Sequence, residues 1–432
     1  MLLYSFALLV ALTLSAPVWG WRMLRQVRYR RGLRERMGEV PRRLSEFVAG
    51  HPVVWVHAVS VGETLAAERL VRELATALPG HAVVLSTTTP TGQQVARERF
   101  GADRVFYYPV DFAFSVRAYL QALRPSLLVL MESELWPRML HECARAGVPV
   151  AVANARVSDR SLPRYRALRL FWRPLLAKVS LLLAQSAQDA ERWREIGMPA
   201  DRVRDAGNLK YDIANDPNSP LAMLIRRNLP QDARVFVAGS THDGEEALLL
   251  SAYVQAASQT SEPTWMVLAP RHPQRTDAVA ELVRGRALRV VRLSEWRLAS
   301  APIAACSVLL VDTVGELSAL YSIATCAFIG GSLVPMGGHN PLEAAQFAVP
   351  VATGPHFQNF RTMLEGMRAQ NGITIVTDGA MLASWIAKHL QRGDAADQDE
   401  SGFAAKRFYE SQRGATERTL AALLPLVRGE RP

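Results

Sequence analysis

Short, unbroken apolar runs alternating with helix-patterned stretches constrain this chain more than any other feature of its sequence. In the first half the runs are Val53–His57, 83–88, 127–131, 148–153 and Leu181–Ala184, with helical patterns such as 92–100 and 136–146 between them. A strand that is apolar at every position, not at every second one, is buried on both faces, which is the property of a parallel sheet covered by helices. Residues 207–233 interrupt the pattern with N-D-P-N-S-P and N-L-P-Q-D, which are dense in turn formers. A second series follows at 235–238, 265–269, 290–293, 308–311, Cys326–Ile329 and 349–352. Residues 403–427 read as long helix and the polar stretch 392–401 as a surface loop. The prediction is two doubly wound α/β domains, 22–212 and 213–432, with the last helix able to pack back on the first. Ligands of open α/β sheets bind beyond the carboxyl ends of the strands, so two such domains facing a cleft put the strand-end loops at the site.

The chain has 432 residues and a formal net charge of +10. That balance points to an anionic partner. Nine arginines crowd one stretch: Arg22, Arg25, Arg28, Arg30, Arg31, Arg34, Arg36, Arg42 and Arg43. The preceding residues, 1–21, are almost uncharged and apolar. A secretory signal carries its positive charge before the apolar core, whereas here the charge follows it. Residues 1–21 are therefore expected to anchor the chain to the membrane, with Trp19 and Trp21 at the interface and the domains held on the cytoplasmic side of the inner membrane. The arginines suit an anionic membrane surface. Nucleic acid is not expected, because no aromatic and basic interleaving recurs. The three cysteines, Cys143, Cys306 and Cys326, lie among apolar neighbours and are expected as buried free thiols.

The strand ends carry the candidate chemistry. After Val53–His57 come Ser60, Gly62 and Glu63, with a helix expected to open at Glu63. A carboxylate in the first turn of a helix complements the dipole. Beside a glycine that lets a substrate approach, it is also placed to take a proton from a hydroxyl. Glu132 and Glu134 follow the strand ending at Met131, and two carboxylates this close need a cation or hydrogen bonds. Asn154 and Arg156 follow the next strand, with Arg156 a candidate partner for one of the glutamates. Lysine occurs only at Lys178, Lys210, Lys388 and Lys406 in this arginine-rich chain. Lys210, at the domain junction, is therefore a candidate for a required compact charge. In the second domain, G-S-T-H (239–242) offers backbone donors for an anion. Arg271 in A-P-R-H-P suits a phosphate or carboxylate. T-V-G-E (313–316) opens a helix. In G-G-H-N-P-L-E, Asn340 is expected as N-cap, Pro341 at N1 and Glu343 in the first turn, a start suited to phosphate and ribose.

There is no G-x-x-x-x-G-K-[ST] and no G-x-G-x-x-G, which disfavours P-loop hydrolases and dinucleotide enzymes. Asp397 and Asp399 form a D-x-D in a polar stretch and are read as solvated charge. His57, His272, His339 and His356 lack metal spacing, so neither a metal nor a cofactor is expected.

Taken together, the blocks H-A-V-S-V-G-E-T-L-A-A, T-T-T-P-T-G, M-E-S-E-L-W-P, A-N-A-R-V-S, G-N-L-K-Y-D, S-T-H-D-G-E-E, A-P-R-H-P, D-T-V-G-E-L, F-I-G-G-S-L-V and G-G-H-N-P-L-E-A-A resemble, in order and over nearly the whole chain, the 3-deoxy-D-manno-octulosonic acid (Kdo) transferases of lipid A assembly. The resemblance implies the GT-B architecture and an inverting transfer of Kdo from CMP-Kdo to the lipid A precursor in lipopolysaccharide assembly. It implies Glu63 as general base and Glu132 and Lys210 as transition-state stabilisers. It also implies that Pro270, Arg271, Val314, Gly315, Glu316, Asn340, Pro341, Leu342 and Glu343 hold CMP. The family often has Met where Val314 stands, a change without effect if only backbone touches the nucleotide there. The alternative is another GT-B transferase that uses a UDP-sugar on a membrane lipid.

Overall fold

The computed structural model describes residues 4–6, 8–10, 13–15, 32–212, 216–299, 301–391 and 395–430. It separates into two compact units, one of residues 1–212 with 413–432 and one of residues 213–412. The second unit thus ends at Gln412, and the terminal helix Ala415–Val427 belongs to the first.

The first unit is built on seven parallel strands: β1 (Val53–His57), β2 (Ala82–Thr87), β3 (Val105–Tyr107), β4 (Pro125–Met131), β5 (Val150–Ala155), β6 (Leu181–Ala184) and β7 (Val203–Asp205). Their order is β3-β2-β1-β4-β5-β6-β7. Every residue of β1, β2, β5 and β6 is buried, as the continuous apolar runs require. The chain winds from β1 outward to β3, then returns to place β4 on the other flank of β1. The winding therefore reverses between β1 and β4, where the strand ends part into a crevice. The helix Ala415–Val427 closes one face of this sheet, packing Ala415, Leu423 and Leu426 into its core. The Asp212 carboxylate fastens its start by accepting the backbone N–H groups of Gly414 and Thr416.

The second unit repeats the plan with β8 (Arg234–Thr241), β9 (Thr264–Pro270), β10 (Arg289–Arg292), β11 (Ser307–Leu310), β12 (Cys326–Ile329), β13 (Val351–Thr353) and β14 (Thr374–Ile375), in the order β10-β11-β9-β8-β12-β13-β14. All its pairings are parallel, and the winding reverses between β8 and β12.

Three expectations change. Residues 395–401 are not loop: they open a helix, Ala395–Gln412, and the long C-terminal helix is two helices parted at Arg413 and Gly414. Gly414 has φ +86° and its N–H is held by Asp212, so the break is built in. Residues 392–394 and the side chains of Asp397 and Asp399 lie outside the description. Cys306 is exposed, whereas Cys143 and Cys326 are buried, because Cys306 sits in a left-handed turn ahead of β11. At the N-terminus most of residues 1–31 lie outside the description, including Trp19, Trp21 and Arg22 to Arg31. Phe6, Leu9 and Leu14 are exposed, and among the described residues no helix is long and apolar enough to cross a membrane. The described arginines are engaged within the unit: Arg43 pairs with Glu35 at 2.9 Å, and Arg36 lies over the Tyr107 ring and donates to the Thr88 carbonyl.

Candidate active site

Glu63 stands just past the carboxyl end of β1, at the winding reversal. Its helix, Val61–Ala77, begins two residues earlier than expected, with Ser60 as N-cap. The Ser60 hydroxyl accepts the Glu63 N–H at 3.4 Å and donates to its Oε1 at 3.0 Å, while Oε2 accepts the Val59 N–H at 2.8 Å. This is a variant of the capping box, in which the N3 carboxylate reaches the N-cap hydroxyl and the N–H one residue before it. The structural and chemical readings of Glu63 therefore describe one arrangement, in which the cap holds the carboxylate in a fixed orientation. Burial pushes its pKa up to about 7; the Val59 N–H opposes that shift, and the charges of Glu132 and Glu134 add to it. A Cβ on Gly62 would meet nothing nearer than the Ser60 hydroxyl at 4.0 Å, so the space beside the carboxylate is open.

Glu132 directly follows β4, the other strand at the reversal, and takes a left-handed φ of +56°. That conformation is uncommon for a residue with a Cβ and marks a constrained position. Its carboxylate meets Lys210 Nζ at 2.9 Å. The cation expected to settle the glutamates is thus Lys210, not Arg156, which is exposed. A register irregularity in β5 explains the difference: Asn154, with φ +57°, turns its Oδ1 to accept the Leu209 N–H at 3.0 Å. Gln185 Nε2 donates to the Asn154 carbonyl at 2.9 Å, and Asn208 Nδ2 donates to Gln185 Oε1 at 3.0 Å. This relay fixes the short turn Leu209–Tyr211 and so delivers Lys210. Gln185 had no sequence signal beyond its nearness to a strand end, and Asn208 none beyond its place in G-N-L-K-Y-D. Glu134 is half-buried, and burial followed by the Glu132 charge raises its pKa.

A cavity of about 260 Å³ opens beside Glu132, lined by Arg156, Ser158, Ser161 and Tyr165 among others. It leads onto the helices Leu162–Ala167 and Arg169–Leu176, joined to each other by Tyr165 against Trp172 at a ring distance of 5.2 Å and held to the unit by Tyr165 against Trp193 at 5.9 Å. Their outer surface exposes Leu168, Leu170 (89%) and Phe171 among Arg164, Arg169 and Arg173. No acidic residue occurs between Arg160 and Lys178. That charge asymmetry was the available signal, and the stronger basic cluster at 22–43 masked it.

In the second unit Pro270 ends β9, and Arg271 follows it with its N–H on the Thr241 carbonyl at 2.9 Å. Arg271 is exposed, and among the described residues its guanidinium has no ion-pair partner. Its charge reaches Glu343, His339 and His242. Burial pushes Glu343 up to about 7, against the opposing pull of Arg271. The N-cap is Pro341 and not Asn340, and the helix is only the four residues Leu342–Ala345; Asn340 still supports its start, its Oδ1 accepting the Leu342 N–H at 3.1 Å. Pro341 and Leu342 are buried beneath it. Val314 is 82% exposed, Gly315 has φ +90°, and the Glu316 carboxylate is taken by Arg297 and Thr313. Glu316 therefore contributes backbone position more than a free carboxylate.

One expectation is corrected by an internal ligand. An external anion was expected at 239–242, but the His242 N–H there instead meets Glu245, as do the N–H groups of residues 331–333 after β12. The fully buried Glu245 carboxylate accepts the N–H groups of His242 (2.9 Å), Gly331 (2.7 Å), Ser332 (2.9 Å) and Leu333 (2.8 Å).

Two doubly wound parallel-sheet units in one chain match the fold of GT-B-like glycosyltransferases. Solved structures agree at the level of fold. A putative UDP-N-acetylglucosamine 2-epimerase from Listeria monocytogenes matches with TM-score 0.59 at 12% identity, over 89% of this chain and 99% of that one. A glycosyltransferase from Rickettsia africae matches with TM-score 0.54 at 12% identity, over 88% and 98%. Residues 31–213 match the 3-Deoxy-D-manno-octulosonic-acid transferase (kdotransferase) family. The 3-deoxy-D-manno-octulosonic acid transferase of Haemophilus influenzae is 33% identical over 98% of both chains, and that of Bordetella pertussis is 34% identical over 86% of both. The chain belongs to the 3-deoxy-D-manno-octulosonic acid transferase family and is a glycosyltransferase.

Proposed function

We propose that the chain moves Kdo from CMP-Kdo to a tetraacylated diglucosamine bisphosphate, the lipid A precursor, with inversion at the anomeric carbon. Glu63 carries the reading. It is a capped carboxylate with open space beside it and a pKa near 7, where a general base works best. Glu63 takes the proton of a glucosamine hydroxyl, whose oxygen attacks the anomeric carbon of Kdo from the face opposite the nucleotide. The bond to the phosphate oxygen breaks, and its electron pair leaves with CMP. Arg271 meets the growing phosphate charge; Lys210, paired with Glu132, holds positive charge near the base. Pro270, the 314–316 turn and residues 340–343 seat the nucleotide, with Glu343 toward the ribose.

The acceptor is a membrane lipid, so the enzyme works at a bilayer surface. We assign that surface to the cytoplasmic face of the inner membrane. The apolar N-terminus and its arginines are one attachment. The paired helices at 162–176 are a second, with exposed leucines for the acyl boundary and arginines for anionic headgroups. In the full chain, Arg169→Glu with Leu170→Asp is expected to lower partition onto phosphatidylglycerol vesicles at least about tenfold, because both the buried apolar area and the charge attraction are lost. Unchanged flotation would leave attachment to the N-terminal segment alone.

Labelled-donor transfer tests the donor. CMP should inhibit, UDP should not, and Arg271→Ala should weaken CMP by roughly tenfold or more, the usual worth of a charge-assisted phosphate contact. Inhibition by UDP in place of CMP would select the UDP-sugar alternative; CMP affinity untouched in Arg271→Ala would remove Arg271 from the site.

A further inference from the structure

Beside Arg271 lies a histidine pair to which the proposed chemistry gives no role. His242 follows β8 and His339 follows β12, one from each side of the winding reversal. Their Nε2 atoms are 2.9 Å apart and their rings are within 6° of parallel. The backbone is shaped to bring them together. Oε2 of Glu245 accepts the N–H groups of both His242 and Gly331, and the Gly338 N–H, next to His339, is held on the Gly331 carbonyl at 2.8 Å. Gly331 has φ +69°, and a Cβ there would stand 3.0 Å from the His339 ring and 3.3 Å from the His242 ring. A side chain there would be strained by the positive φ and would press on both imidazoles, so glycine suits the pair.

An Nε2···Nε2 contact at this distance requires one ring to carry the proton and the other to offer its lone pair. The two nitrogens are thus spent on each other and are not free for a metal. One added proton goes to Nδ1 of the donating ring. That ring becomes an imidazolium and the shared bond becomes charge-assisted, hence stronger. A second added proton would set two N–H groups against each other. The pair is therefore suited to hold one extra proton.

The groups facing it decide when. His272 meets His242 edge-on at 5.6 Å. Burial, Arg271 and His272 all disfavour charge on the pair and keep His339 at about 4; Glu245 and Glu246 favour charge on His242. Glu343 lies within reach of Arg271. The free site thus has a cation, Arg271, with no ion-pair partner among the described residues, and a neutral pair beside it. A phosphate dianion on Arg271 reverses the sign of the local field.

We infer that the His242–His339 pair takes up one proton when a nucleoside monophosphate occupies the Arg271 site, so that the leaving phosphate is met by two positive charges instead of one. The inference rests on the nucleotide-site reading above. In the reaction the pair passes no proton to the phosphate. It holds charge while the phosphate oxygen gains its second negative charge, which makes it an electrostatic counterpart to Arg271.

Titration calorimetry of the full chain with CMP at pH 7, in buffers of different ionisation heat, reads the proton count. Glu343 can also titrate there, so the comparison is made in a Glu343→Gln background. Uptake is expected to be larger by about half a proton or more with both histidines present than in either Glu343→Gln/His339→Asn or Glu343→Gln/His242→Asn. In the wild-type chain, cytidine, which lacks the phosphate, is expected to bind without that uptake, a control that needs no variant. CMP binding with equal proton counts in all variants, or uptake with cytidine equal to that with CMP, overturns the pair's role and leaves the nucleotide site standing. Absence of CMP binding to the wild-type chain overturns the nucleotide site and the inference with it.

Discussion

Replacing Glu63 with Gln lowers Kdo transfer by roughly 10²- to 10⁴-fold, the usual worth of a positioned general base, while CMP binding is retained. The substitution keeps the side chain's length and one acceptor oxygen for the cap, so the loss reports the proton acceptor and not the helix start. The base must be ionised to act. With its pKa near 7, kcat/KM of the wild-type chain should fall about tenfold per pH unit below that point and level off above it. Glu343 is also placed near 7, so the same profile measured in Glu343→Gln assigns the limb: it persists if Glu63 is responsible. Stability gives an independent reading. The folded pKa of Glu63 lies above its ordinary value of 4.5, so the folded state binds the proton more tightly than the unfolded one. The stabilisation is complete below pH 4.5 and is lost as pH rises through about 7. Glu63→Gln has no such term, so its melting temperature should gain on the wild type between pH 5 and 8. Near-normal turnover in Glu63→Gln, or a difference in melting temperature that is flat with pH, would unseat the assignment.

The parts of the site that were legible in the sequence are those carried by local spacing. Glu63 was legible as a first-turn carboxylate after β1, although the helix opens at Val61, with Ser60 as its N-cap, and not at Glu63. Strands β1, β6 and β12 were legible to the residue because their apolar runs are continuous and bounded by turns. Strands β3, β7 and β14 were not, because two or three residues at or next to a sheet edge carry no period. Lys210 was noticed through the scarcity of lysine, but its partner was not: Glu132 lies 78 residues away, and the pairing depends on an irregularity in β5 that reverses the local choice between Asn154 and Arg156. Cys306 was misplaced because apolar neighbours indicate a buried side chain only if the backbone keeps its direction, and a left-handed turn changes it. The histidine pair joins residues 97 apart in sequence, each unremarkable in its own block. Chemistry that arises where a winding reverses is built from two distant strand ends, and one-dimensional spacing cannot display it.

Glu245 shows the same limit, and its removal is the largest stability effect expected. The strand-end loop at 239–242 looked like an anion site from its glycine and amide donors; the anion that it and residues 331–333 hold is the protein's own. Glu245→Ala would leave four N–H groups without this acceptor, those of Gly331 and Ser332 buried and those of His242 and Leu333 partly buried. Each orphaned buried donor costs about 1–3 kcal/mol, less than additively where loops relax and water enters. A net loss of about 3–5 kcal/mol is expected, as for other broken buried charge networks. For a unit of this size that lowers its melting transition by roughly 6–20 °C. Glu245→Gln is no rescue. Its amide can keep one oxygen for Ser332 and Leu333, but it then turns an NH₂ toward the N–H groups of His242 and Gly331, donor against donor. The change should be local first: amide exchange at 331–333 and at His242 should speed up by at least tenfold, while β1 to β7 in the other unit keep their protection. Protection at 331–333 equal to the wild type would mean that the loops are held without Glu245. Because one carboxylate oxygen fixes the backbones of both His242 and Gly331, the same substitution should also release the histidine pair, and CMP-linked proton uptake should disappear in any fraction that remains folded.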